Sequence, residues 1–96
     1  MNENLKKIKT YIGFSIKARK IVFGTDDILR LKKLELIVVS SSLAESSLKK
    51  LKNYADSRKV EIKIFDDAFF VEAVNSESIK AAAILDKNLA DAIKLN

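Results

Sequence analysis

Two uninterrupted apolar runs, Leu36-Ile37-Val38-Val39 and Ala81-Ala82-Ala83-Ile84-Leu85, constrain this chain more than any other feature. Successive side chains of a strand point to opposite sides, so a strand with one wet face alternates apolar and polar residues. These runs leave no position for water. Both therefore read as central strands covered on each face. The segments between them supply the covers. Leu5, Ile8, Ile12 and Ile16 recur at helical steps, so residues 3–18 read as an amphipathic helix. Ile21-Val22-Phe23 is a short strand, and Gly24, one of two glycines in the chain, marks a strand-to-helix corner. Strands alternating with helices predict an α/β fold, a three-layer α-β-α sandwich around a mixed sheet of about four strands.

Local signals fill in the remaining elements. After Gly24, Thr25 and Asp26 are expected to cap a helix, with Asp27 at the positive end of its dipole. Ile28, Leu31 and Leu34 extend that helix to about two and a half turns. Ser42-Leu43-Ala44-Glu45 matches a capping box, followed by Ala44, Leu48, Leu51 and Ala55 at helical spacing. Val60, Ile62 and Ile64 alternate with Glu61 and Lys63, as in a strand with one wetter face. Asp66 or Asp67 caps a helix through Phe69, Phe70, Ala73 and Val74, ending near Asn75, and Asp86 caps a last helix carrying Leu89, Ala90 and Ile93. The expected core is Val38, Val39, Leu48, Leu51, Ile62, Ile64, Ala82, Ile84 and Leu89.

Composition narrows the chemistry. Ninety-six residues with 48% hydrophobic and 32% charged side chains suit one domain spanning 1–96. There is no cysteine and no histidine, which removes thiolate ligands, thiol nucleophiles and the commonest general base. The acidic pairs Asp26-Asp27 and Asp66-Asp67 each precede an apolar-periodic run, where helix capping accounts for them. Ser40-Ser41-Ser42 lies at a strand-to-helix turn without the glycines and lysine of a P-loop. Catalysis, a metal and a cofactor are therefore not expected. No long apolar segment and no leader pattern is visible, so the cytoplasm is the expected compartment.

The charge is unevenly placed. The formal net charge is +5, and residues 1–25 alone carry Lys6, Lys7, Lys9, Lys17, Arg19 and Lys20 against Glu3. The rest of the chain holds twelve charges of each sign and so balances. A surplus confined to one helix and its exit turn suits a local surface for a polyanion. Lys6, Lys7 and Lys9 are equally well explained as the solvated face of a helix.

The stretch from Ile12 to Arg30 also resembles a known family: the kink-turn RNA-binding ribosomal proteins, comprising the archaeal L-seven-A-e protein, the eukaryotic L-thirty-e protein and bacterial YlxQ-like relatives. Ile12, Gly13, Lys17, Ala18, Lys20, Ile21, Gly24, Thr25 and Arg30 fall on that family's pattern at matching spacing. Ala81–Asp86 and Asn88-Leu89-Ala90 resemble its last strand and helix, nearest the bacterial branch. The resemblance implies a single L-thirty-e-like domain that binds structured RNA, a kink-turn or ribosomal RNA among the candidates, as a monomer. It implies phosphate contacts from Lys17, Arg19, Lys20 and Arg30 around a corner of Gly24, Thr25, Asp26 and Asp27. Ile79, in the loop from Asn75, would touch a bulged nucleotide. Asp26, Asp27 and Arg30 stand where the family has Asn, Glu and Lys, and Arg19 and Asn75 replace glycines. About three residues fewer separate the second helix from Leu36. Asp27 can still accept from guanine N1–H and N2–H, whereas Asp26 accepts without donating and brings a charge near phosphates. The rival expectation is a protein–protein module on the same fold, with Asp26 and Asp27 serving only the helix.

Overall fold

The computed structural model describes residues 2–96. The helices are α1 (Glu3–Lys17), α2 (Thr25–Leu29), α3 (Glu45–Arg58), α4 (Asp67–Val74) and α5 (Lys87–Leu95). The strands are β1 (Ile21–Phe23), β2 (Leu36–Ser40), β3 (Ile62–Phe65) and β4 (Ala81–Ile84). They form one mixed sheet in the order β1-β4-β2-β3. β4 runs antiparallel to both β1 and β2, and β2 is parallel to β3. The expected α-β-α sandwich is what the chain forms.

The two apolar runs are the middle of the sheet, with every residue of β2 and β4 buried. On one face Leu36, Val38, Ala82 and Ile84 pack with Ile8, Ile12, Phe70 and Ile93 of α1, α4 and α5. On the other, Ile37, Val39, Ala81 and Ala83 pack with Ile28 of α2 and with Leu51 and Ala55 of α3. Burying a large aliphatic or aromatic side chain contributes about 1.5–3 kcal/mol, so this double cover dominates the stability. Lys9 of α1 also pairs with Glu72 of α4, and Lys63 donates to the carbonyls of Ile93 and Lys94 at 3.4 and 3.2 Å, closing the end of α5.

Four local expectations are corrected. The helix after Gly24 covers five residues rather than two and a half turns. Arg30 and Leu31 donate back to Asp27 and Ile28, tightening the end, and the Glu35 N–H goes to the Ile84 carbonyl instead of to Leu31. The Tyr54 hydroxyl takes the vacated Leu31 carbonyl. Sheet pairing has claimed residue 35, so the helix must stop early. Leu34 is buried all the same, from an irregular segment.

Thr25 and Asp26 do not cap α2 either: Gly24 holds the N-cap position, and no side chain bonds there. Both are helical residues instead. The capping box is not formed. Ala44 is the N-cap of α3, which begins at Glu45, while Ser42 bonds to Ser40 and Asp67. The charge-assisted bond that the Ser42 hydroxyl donates to Asp67 turns the side chain toward α4 and away from the start of α3. Ile64, expected in the core, is 52% exposed on the edge strand β3, and Leu48, Ile62 and Leu89 are only partly buried. Asp66 and Asp86 do cap α4 and α5, accepting from the backbones of Ala68 and Leu89.

Candidate functional site

The candidate site is laid out along β1, an edge strand of the sheet. At one end lies the exit of α1. The Lys20 N–H donates to the Ser15 carbonyl at 2.9 Å and the Arg19 N–H to Ile16 at 3.1 Å. This crossed pair is a Schellman motif, which needs a left-handed residue at its turn. Arg19 fills that position with φ 57°. The tight reversal leaves Lys17, Arg19 and Lys20 all exposed, and none of them is in an ion pair among the described residues.

At the other end of β1 lies the Gly24 corner. The Gly24 N–H bonds to the Ala81 carbonyl at 3.0 Å, and its own carbonyl accepts from Ile28 to start α2. Its φ of 92° and ψ of 139° suit glycine alone. A side chain placed there would meet nothing within 4 Å, so the backbone at this corner faces open space. Asp26 and Asp27 lie exposed in the first turn of α2. Asp27 accepts from the Arg30 Nη1 at 3.3 Å, with both side chains mostly in solvent. Such a bridge is weak and easily exchanged for a ligand contact.

β1 and β2 are both antiparallel to β4, hence parallel to each other, and α2 carries the chain back from the end of one to the start of the other. Arg30 therefore returns toward the end of the sheet that holds Lys20. The basic turn and the glycine corner are separated by the three residues of β1, roughly 10 Å along the strand.

The loop between α4 and β4 joins the corner at the same end of the sheet, because Ala81 follows it directly. Ile79 is half-buried against the α1 and α4 core rather than projecting freely. Its neighbour Lys80 escaped notice in the sequence. The Lys80 Nζ donates to Asp67 Oδ1 at 2.9 Å, where the hydroxyls of Ser40 and Ser42 also donate at 2.6 and 2.8 Å. Hydrogen bonds from Ser40, then Lys80 and Ser42, hold the Asp67 carboxyl below the usual carboxylate range, at about 2. This cluster ties the ends of β2 and β4 to the start of α4 beside the corner. The sequence offered the serine run and the acidic pair, but nothing in either spacing joined them to a lysine more than a helix away.

No family model matches the sequence, and no curated protein matches it either. Solved structures define the class: a three-layer α-β-α fold shared with other proteins at low sequence identity. A Bacillus halodurans protein of unknown function superposes with a TM-score of 0.84 at 16% identity, covering 93% of this chain and 94% of its own. A 15.5kD RNA binding protein from Giardia lamblia superposes with a TM-score of 0.74, also at 16% identity, covering 99% of this chain and 86% of its own.

Proposed function

We propose that this chain is a non-enzymatic RNA-binding protein that grips structured RNA along the β1 edge. The observation that carries the reading is one juxtaposition. Unpaired cations at Lys17, Arg19 and Lys20 flank a glycine corner whose backbone faces open space, in a fold shared with an RNA-binding protein of Giardia lamblia. Among the described residues, the exposed large apolar side chains are Phe14, one turn before Lys17 on α1, Ile64 and Leu95, and none of them lies in the glycine corner or in the loop before β4. A protein-docking corner would carry an apolar patch there, so the surface favours RNA over the interaction-module alternative.

In the finer form of the proposal, the protein is a YlxQ-like, cytoplasmic monomer that associates with ribosomes or another ribonucleoprotein. Lys17, Arg19, Lys20 and Arg30 hold phosphates, Gly24 and Thr25 let the RNA approach, and Asp27 accepts from a guanine edge of a kink-turn. Ile79 lies under the bulged nucleotide. Asp26 is the residue least suited to this task, because it accepts without donating. Replacing it provides the test. Asp26→Asn restores a donor and removes a negative charge, which should tighten kink-turn binding by on the order of 1 kcal/mol, a several-fold gain. Both forms are titrated against a kink-turn duplex and a straight duplex of equal length and charge. A preference for the kink-turn in neither form refutes the kink-turn assignment, and negligible binding of both duplexes refutes RNA binding altogether.

A further inference from the structure

Helix α3 sorts its charges by face. Ser47, Lys50, Tyr54 and Arg58 recur at steps of three and four and form one flank, which carries no acid. Glu45, Lys49, Lys52 and Asp56 form the opposite flank, where both signs mix. The acid-free flank is turned toward the segment between α2 and β2. The Tyr54 hydroxyl bonds the Leu31 carbonyl, and the Arg58 guanidinium stacks over the Tyr54 ring at 5.2 Å.

That segment adds two more cations, Lys32 and Lys33, both exposed. Its one acid, Glu35, lies on the side of α5. There Lys87, raised chiefly by its hydrogen bond to Asp91, also feels the Glu35 charge. Among the described residues, Lys32, Lys33, Lys50 and Arg58 have no acidic partner. Lys32 and Lys33 follow Arg30 directly in the chain, and the Tyr54–Leu31 bond fastens α3 to the same segment, so these cations adjoin the candidate site.

We infer that this stripe of Arg30, Lys32, Lys33, Lys50 and Arg58 is a second phosphate-binding surface that holds the duplex stem of the RNA gripped at the glycine corner. The inference rests on the RNA-binding reading. From Lys50 to Arg58 the helix rises about 12 Å, and double-stranded DNA presents roughly one phosphate charge per 1.7 Å of axis, an A-form RNA duplex being charged at least as densely. A stem lying along this flank thus meets several phosphates whatever its sequence. The stacking of Arg58 on Tyr54 and the lack of an acidic partner for Lys32, Lys33, Lys50 and Arg58 suit a uniformly negative partner better than a protein surface of mixed charge. Only Arg30, bridged weakly to Asp27, has an acid beside it among the described residues.

The test uses the whole protein and two kink-turn RNAs that differ only in stem length, one having an extra helical turn. Wild type should bind the longer RNA roughly tenfold tighter or more. The triple variant Lys32→Ala, Lys33→Ala, Lys50→Ala should lose that advantage, and its salt slope on the long RNA should flatten by about two to three. Its binding of the short RNA should match wild type. Lys20→Ala, by contrast, should weaken both RNAs alike. Equal wild-type affinity for the two lengths, with the Lys20 effect intact, overturns the stripe and leaves the corner standing. No binding of either RNA overturns both readings. In a saturated long-RNA complex, Lys32, Lys33 and Lys50 should be shielded from an acylating reagent. If they still react, the flank is open to a protein partner and the inference fails.

Discussion

Arg19 occupies a backbone conformation that costs an L-residue roughly 1–2 kcal/mol, and it does so where a glycine would fit without strain. Its φ of 57° is imposed by the Schellman turn that closes α1. Arg19→Gly should therefore raise thermal stability by about 0.5–1 kcal/mol, the strain relieved less the extra unfolded-state freedom of glycine. The same variant should weaken RNA binding and flatten its salt slope by nearly one. Melting curves and titrations on one preparation check both halves. Gain of stability without loss of affinity would remove Arg19 from the interface. Asp26 gives a parallel case. It makes no capping bond, so Asp26→Asn forfeits only a charge near a helix N-terminus, about 0.3–1 kcal/mol. That small cost separates its effect on RNA from any effect on the fold.

Among the elements, the cluster around Asp67 joins β2, β4 and α4 and carries a signature in acid. Its carboxyl is held down at about 2 by Ser40, Lys80 and Ser42, below its value of about 3.9 in an unfolded chain. Between those values the unfolded state binds more protons than the native one, so stability rises with pH there. The contribution is fully present above about pH 4 and is lost as pH falls toward 2. Denaturation of wild type and Asp67→Asn between pH 2 and 5 should show the wild-type advantage shrinking as acid is added. A gap independent of pH would show that the carboxylate charge does not matter. This cluster also marks how far the sequence could be read. The runs Leu36–Val39 and Ala81–Leu85 declared their burial because a strand covered twice has no polar position to spare. The early stop of α2 was hidden, since it depends on Glu35 bonding to Ile84, a partner known only once the sheet is paired. Ser42 was misread for a similar reason: its preferred acceptor, Asp67, comes from another helix. In the site, the basic turn and the glycine corner were legible as neighbours in the chain. Lys80 was not, because strand order alone brings it beside Gly24.

For the whole molecule, Lys6, Lys7 and Lys9 lie along the first half of α1, while the other half of the basic residues in positions 1–25, namely Lys17, Arg19 and Lys20, emerge at its exit next to the sheet edge. Binding governed by about three to four phosphate contacts there should show log affinity falling with log salt at a slope of about −2 to −3. Lys20→Ala should weaken all RNAs alike and flatten the slope by nearly one. Titrations at several salt concentrations check this, and an affinity indifferent to salt would contradict it.

The position of β4 in the sheet has a consequence for the order of events during synthesis. β1 has one neighbour, and that neighbour is β4. The N–H of Gly24 is held by Ala81, and the carbonyl of Lys20 by Leu85. While a ribosome is still adding the residues between, at about 5–20 per second, the glycine corner has no strand to lean on. The part of the chain made first is thus among the last to take shape, and a nascent chain halted before residue 81 should leave RNA ungripped even with every basic residue of the corner already exposed.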